Sequence, residues 1–250
     1  MPRLVPLCTV FATLCIAFAP AQAEEPWQYQ VAPYIWAAGL DGDVATLPGV
    51  PAASVDASFG DLVENLDIAF MIAGEAHNGR VGLYGDLFYV DIEATGSVPG
   101  PLFSTARLES QTAFGTAAGF WRAWSNERAS LDVMAGARLW SVDTELALGA
   151  GIMTATTVSH DESWVDPLVG FKARGSLGGN RFFQSVGVLF GGFGVGSDLM
   201  WDANINLGYQ WSDGFSTSIG YRYLAVDYSD GGFLYDVVQQ GPTIALIWNF

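Results

Sequence analysis

Between Trp201 and Trp211 the chain sorts by parity. Trp201, Ala203, Ile205, Leu207, Tyr209 and Trp211 fall on one side, and Asp202, Asn204, Asn206, Gly208 and Gln210 on the other. A period of two marks an extended strand whose two faces meet different surroundings. A tilted strand needs about 9–11 residues to cross a bilayer, and this segment has that length. The division recurs with Leu131, Val133, Ala135, Ala137 and Leu139 against Asp132, Met134, Gly136 and Arg138, and with Val165, Val169, Phe171 and Ala173 against Asp166, Lys172 and Arg174. A lipid-facing Arg or Lys at mid-depth costs about 2–4 kcal/mol, so the charged parity is assigned to an enclosed interior. The pattern predicts an all-β fold, an antiparallel transmembrane up-and-down β-barrel.

Composition agrees with this reading. Half of the 250 residues are hydrophobic and 14% are charged, with Lys172 the only lysine, whereas a soluble surface carries more Lys and Glu. Thirty glycines suit tight turns, and abundant Trp, Tyr and Phe suit interfacial belts. Residues 1–23 read as a secretory signal peptide: Arg3, an apolar run from Leu4 to Ala19, Pro20, and the small-x-small site Ala21-Gln22-Ala23. Cys8 and Cys15 both lie inside it, so residues 24–250, the expected barrel, carry no thiol. Without the leader, 9 basic residues face 26 acidic ones, which argues against nucleic acid as a partner.

Ten strands are expected, at about 28–40, 66–77, 80–93, 105–123, 129–147, 153–176, 182–195, 200–211, 215–228 and 234–250, with eight as the alternative. Asn78-Gly79, the stretch 124–128, Gly178-Gly179-Asn180 and Ser212-Asp213-Gly214 are short turns on the periplasmic side. The longest connection on the other side, Asp41 to Asn65, ends in 59–66, a candidate for two helical turns at the barrel mouth. Asp41, Asp43, Asp56, Asp61, Glu64, Asp91, Glu93, Asp143, Glu145, Asp161, Glu162, Asp198, Asp227, Asp230 and Asp236 map to the outer end, and Arg80, Arg122, Arg128 and Arg181 to the periplasmic end. This sorting proposes an acidic outer mouth. Asn78-Gly79 as a two-residue hairpin sets His77 opposite Arg80 and Met71 opposite Asp86, with Phe70, Ile72 and Leu87 toward lipid.

Several segments carry a family resemblance. Pro33-Tyr34-Ile35-Trp36-Ala37-Ala38-Gly39-Leu40-Asp41-Gly42, Asp166-Pro167-Leu168-Val169-Gly170, Gly191-Gly192-Phe193-Gly194-Val195-Gly196-Ser197-Asp198 and Gly220-Tyr221-Arg222-Tyr223-Leu224-Ala225-Val226-Asp227-Tyr228 resemble those of a group of small proteobacterial outer-membrane barrel proteins without an assigned activity. The last ten residues, GPTIALIWNF, resemble the terminal strand of Gram-negative outer-membrane barrels, whose final aromatic is read by the barrel-assembly machinery; Phe250 is that residue here. The resemblance implies location in the cell outer membrane, among its lipids and lipopolysaccharide, and brings no catalytic residue.

The interior charges Asp86, Asp132, Arg138, Asp166, Lys172, Arg174 and Arg222 have two readings, a paired network filling a narrow barrel or the lining of a conducting pore. The network is favoured, because eight to ten strands leave little interior space and paired charges are better tolerated in a dry interior than unpaired ones. Arg138 opposite Asp166 and Lys172 opposite Asp132 fit one antiparallel hairpin centred near Ile152, predicting two ion pairs, with Arg222 and Asp86 extending the network. His160-Asp161-Glu162 is the one outer site where a histidine sits among acids, and a histidine base there defines a rim-hydrolase reading. A solvated loop is the plainer reading, since no Ser or second acid stands at a matching spacing. Asp41-Gly42-Asp43 lacks the further ligands of a calcium loop, and the glycine run 191–196, without a following helix, reads as close strand packing or a bend, not a nucleotide loop. The expected protein is a non-enzymatic outer-membrane barrel without cofactor, of structural or envelope-integrity role with at most a narrow passage. A channel for small cations or small apolar solutes, or a rim hydrolase using His160, are the alternatives.

Overall fold

The structure is a computed structural model and describes residues 26–47, 51–97, 101–179 and 181–250. The expected leader and cleavage site lie outside the described residues. Among the described residues the elements are β1 (Gln28–Trp36), β2 (Gly39–Ala45), β3 (Ala53–Ala57), α1 (Phe59–Glu64), β4 (Leu66–His77), β5 (Val81–Ser97), β6 (Phe103–Ser125), β7 (Ala129–Ala150), β8 (Thr156–Leu177), β9 (Phe182–Gly192), β10 (Leu199–Ser212), β11 (Phe215–Asp230) and β12 (Phe233–Asn249). The strands form a closed antiparallel barrel of ten in chain order, with β1 bonded to both β4 and β12, β2 continuing β1 along β12, and β3 paired with β2. The ten expected segments are these ten strands, and the eight-strand alternative falls.

The surprise is in the connection from 41 to 65, which holds a β2–β3 hairpin before α1. β1 and β2 keep one register along β12, from Gln30 opposite Asn249 to Ala45 opposite Leu234. They are one strand of the wall. Its ladder lapses at 32–33 and 37–38, where Pro33 and Pro242 have no N–H to give. Ala37 N still donates to Pro242 O at 2.9 Å, so the strand does not leave its partner. On the other side β1 follows β4 only from Gln28 to Pro33, after which β2 pairs with β3 instead. The helix is capped as its sequence dictates: the Ser58 side chain accepts from Asp61 N, and the Asp61 carboxylate accepts from Ser58 N. It buries none of its residues, so it lies on the surface.

Strand register fixes the barrel's size. Stepping through paired residues from Gln28 leads to His77, Gly82, Phe120, Met134, Gly170, Leu189, Asp202, Leu224, Gln239 and then Leu40, which is 12 residues further along the starting strand. Ten strands with this shear tilt by about 40° and enclose a backbone cylinder of roughly 10 Å radius. Side chains can fill such a space.

The outer surface is what the parity requires. Leu83, Leu87, Val133, Leu139, Val165, Val169, Phe171, Phe190, Ile205, Leu207, Ile219, Ile244 and Leu246 are all exposed and form one apolar band, far larger than a soluble monomer presents. Trp121, Trp124, Phe182, Trp211 and Trp248 girdle its short-turn end. From Trp121 to Gln111, β6 climbs about 26 Å at that tilt, the height of a hydrocarbon core.

Two expectations are corrected. His77 opposes Gly82, not Arg80, and Met71 opposes Phe88, not Asp86. Asn78 Oδ1 accepts from the N–H groups of Arg80 and Val81, which draws the turn one residue onward so that Gly79, at φ +81°, leads it. The slip is two residues, so every face is kept, and Phe70 and Leu87 point to lipid. The second correction concerns the acids. Asp41, Asp43, Asp91, Glu93, Asp143, Glu145, Asp161, Asp227 and Asp236 share the parity of the lipid-facing residues of their strands, so they form a collar around the outside, not a lining of the mouth.

Candidate functional site in the barrel interior

The interior is built from neighbouring rungs of the ladder. Phe88, Phe114, Trp140 and Trp164 are direct cross-strand partners on β5 to β8 and all point inward. Their rings pack in series at centroid separations of 4.7, 5.0 and 5.5 Å, and the series continues to Tyr228 at 4.0 Å and back to Trp36 at 5.8 Å from Phe88. With Val142, Leu224, Val226, Phe233, Tyr235 and Val237 they fill the outer half.

Two residues toward the short turns lies the rung Asp86, Thr116, Arg138, Asp166. Arg138 is 0% exposed, and its Nε donates to Thr116 Oγ1 at 2.8 Å and its Nη2 to Asp202 Oδ2 at 2.7 Å. Arg222 reaches the same carboxylate twice, at 3.0 and 2.6 Å, and also gives Nη2 to Asp86 at 2.8 Å and Nη1 to the Tyr34 hydroxyl at 2.8 Å. Tyr34 in turn donates to Asp86 at 2.7 Å. Charge-assisted bonds therefore tie β1, β5, β6, β7, β10 and β11 together through the axis. The guanidinium of Arg138 sits 4.4 Å from the Phe114 ring centre and that of Arg222 4.9 Å from Trp36, so the aromatic rung also offers its ring faces to both cations.

The expected ion pairs are half right. The hairpin has the expected register, with Arg138 opposite Asp166 and Asp132 opposite Lys172. Lys172 does lie 3.7 Å from Asp132 while bonding Glu75 more closely. Arg138, however, turns away from Asp166 to Asp202, three strands on. Asp166 is held by neutral donors instead: Ser197 N at 2.7 Å, Ser197 Oγ at 2.9 Å and Trp140 Nε1 at 3.0 Å. Ser197 comes from the turn after β9, where the glycine run bends, as expected, with Phe193 at φ +54°. That bend delivers a hydroxyl into the core.

Asp202, Tyr34, Glu75 and Arg122 are interior partners that sequence reasoning left out of the network. The sequence places Arg122 at the periplasmic rim, yet it turns inward and meets Asp132 at 2.8 Å. Asp202 carried a readable signal, since it sits on the polar parity of the Trp201–Trp211 segment. Which charge it would meet across the barrel depends on the shear, and no local pattern reports that. Arg174 is the exception to pairing: it lies over the Phe183 ring at 3.9 Å, with Gln30 Oε1 at 3.5 Å from its Nη1.

At the outer end His160 and Glu162 point inward, 3.4 Å apart, and Glu162 also accepts from the Tyr228 hydroxyl at 3.0 Å. No Ser, Thr or Cys nucleophile is hydrogen-bonded to His160 among the described residues. Asp41-Gly42-Asp43 is paired strand and not a loop, and no cluster of three metal-ligating side chains occurs among the described residues.

By sequence, no protein-family model and no curated protein matches the chain. By structure, it is similar to the outer membrane protease OmpT from Escherichia coli, with a TM-score of 0.59 at 9% identity over 90% of this chain and 97% of that one. Ail, the attachment invasion locus protein of Yersinia pestis, aligns at TM-score 0.37 and 12% identity over 90% of this chain and 99% of that one. Neisserial surface protein A aligns at 0.31 and 12% over 90% and 100%. At such identities the likeness concerns the fold. Together with the closed ten-stranded wall and its apolar band, it places this chain among the small β-barrels of the bacterial outer membrane.

Proposed function

We propose that this protein is a non-enzymatic, non-conducting barrel of the outer membrane with a structural or envelope-integrity role. The observation that carries the reading is the filled interior. Asp86, Arg138, Asp166, Asp202 and Met200 are each at most 2% exposed, which supports a filled cross-section at their level. The aromatic series stands directly above. This arrangement speaks against the channel reading, and the His160–Glu162 pair, with no nucleophile on the histidine, gives a hydrolase little to work with. Assembly is read as passing through β12, since Phe250 closes the seam: its N–H donates to Tyr29 O at 3.0 Å and its C=O accepts from Tyr29 N at 2.8 Å.

Planar-bilayer recording of the refolded protein tests the reading. No steady conductance is expected above the bare bilayer in symmetric salt. Stable open-channel currents would overturn it, and so would hydrolysis of lipid or peptide substrates abolished by His160→Ala.

A further inference from the structure

Below the charged rung, in the half of the barrel beside the short turns, lies a cavity of about 240 Å³. Its roof is Asp86, Arg222 and Tyr34, and its walls include Gln30, Ser185, Asn204, Asn206 and Thr243. Almost every charge facing it is matched. Glu75 takes Lys172, Asp132 takes Arg122 and lies near Lys172, and Asp86 takes Arg222. Arg174 is not matched: among the described residues no carboxylate lies within 4 Å of it.

The guanidinium is nonetheless held in place. Gly208 has no side chain, and a Cβ there would lie 2.0 Å from the Phe183 ring, so the ring packs directly against the wall at that position. The guanidinium carbon of Arg174 lies 3.9 Å from the ring centre. Nη1 of Arg174 gives one long bond to Gln30 Oε1, at 3.5 Å, while Nε and Nη2 have no acceptor among the described residues, and such in-plane N–H groups match a carboxylate in bidentate fashion. Its rung neighbours across both strands are hydroxyls, Ser130 and Ser185, which add neutral donors at the same level.

We propose that this cavity binds a small monocarboxylate, with Arg174 as the anchor of the anion. A single unmatched cation favours a monoanion, since a phosphate dianion would meet the nearby carboxylates of Glu75, Asp132 and Asp86 uncompensated. The cavity is smaller than the roughly 300–1,000 Å³ of drug-sized sites, and Ala32, Met134, Leu189 and Ile247 give its wall apolar stretches for a compact carbon body. The proposal goes beyond the non-conducting reading: a blind cavity binds its ligand and does not transmit it.

The test uses the whole mature protein in nanodiscs, titrated calorimetrically with sodium benzoate, and with benzamide and inorganic phosphate in parallel. Benzoate binding in the millimolar range or tighter is expected, at least tenfold weaker in Arg174→Gln, partly retained in Arg174→Lys, and unchanged in the surface variant Arg107→Gln. Benzamide and phosphate should bind at least tenfold more weakly than benzoate. A second readout separates binding from structure. Because Arg174 has no counter-charge, Arg174→Gln should leave the ligand-free barrel as resistant to urea as before, or more so. Absent benzoate binding, equal binding by benzamide or phosphate, equal binding by Arg174→Gln, or a clear loss of barrel stability in that variant would each overturn the proposal.

Discussion

Asp202 is the carboxylate on which the closed interior turns, and replacing it with Asn isolates its charge from its volume. In the intact barrel it accepts from Arg138 at 2.7 Å and from Arg222 at 2.6 and 3.0 Å, at 2% exposure. With Asp202→Asn, Arg222 keeps Asp86 and the Tyr34 hydroxyl. Arg138 keeps only neutral partners, Thr116 Oγ1 and Met200 Sδ, and no water reaches it. Leaving a buried charge unpaired costs about 3–5 kcal/mol. The amide oxygen can still accept one bond, so the lower end, about 3 kcal/mol, is expected. In a urea titration of the barrel folded into short-chain lipid vesicles, followed by Trp fluorescence, this lowers the midpoint by about 1.5 M for an m value near 2 kcal/mol/M. A double-mutant cycle with Arg138→Met should give a coupling of about 2 kcal/mol or more for Arg138 with Asp202, and less than about 1 kcal/mol for Arg138 with Asp166→Asn. The second number is the sharper one, because Asp166 is the direct cross-strand neighbour. A larger coupling to Asp166 than to Asp202, or a neutral Asp202→Asn, would refute the assignment of Arg138 across the lumen.

Three further outcomes are expected. Asp236 stands directly between Asp43 and Asp227 in the outer collar, so Asp236→Asn should stabilise the barrel by about 0.2–1 kcal/mol, a gain that shrinks in high salt; a loss of stability would count against the outward collar. Ser197→Ala removes a donor from Asp166 and the acceptor of Trp164 Nε1 at 2.9 Å, and should cost about 1–3 kcal/mol with faster amide exchange in 193–198, whereas unchanged exchange would show that the bend does not depend on this contact. The Ser58 hydroxyl and N–H hold the Asp61 carboxyl below its ordinary value; a lowered folded pKa gives stability that is present above the unfolded value and is lost as pH falls through the folded one. Amides of α1 should therefore lose protection, relative to intrinsic exchange at the same pH, on acidification while those of the barrel hold, and Ser58→Ala, which keeps only the backbone bond to Asp61, should reduce the difference.

Strand identity was legible because each crossing segment is divided between lipid and interior, which writes a period of two directly into the residues. The β7–β8 register was legible for the same kind of reason: two opposite-sign pairs, six residues apart on each strand, fit one pairing, and the structure has it. The β2–β3 hairpin was hidden by the prolines around it, which read as loop. The partner of Arg138 was hidden more deeply. Ladder neighbours follow from pairing two strands, whereas contacts across the axis follow from the shear of the closed wall, a sum over all ten pairings. Ser197 was opaque for another reason, since a serine in a glycine-rich turn gives no sign that the turn folds inward.

The order of the two interior rungs explains why closure and charge occur together. The aromatic rung excludes water from the outer side of Arg138 and Arg222, so their charges must be met by protein groups. Neighbours on the same rung are poor candidates for Arg138, because Thr116 is neutral and Asp166 is already held by Ser197 and Trp140. The remaining acids lie across the axis, and a backbone radius of roughly 10 Å is short enough for an extended Arg from one wall to meet an Asp from another. The same bonds that neutralise the charges therefore span the cross-section from β7 to β10 and from β11 to β5. Below them the demand ends, because the cavity supplies polar walls, and there Arg174 can remain without a carboxylate. The closed layer thus divides the interior into a dry half that fixes the wall and a polar half that is free to hold a ligand.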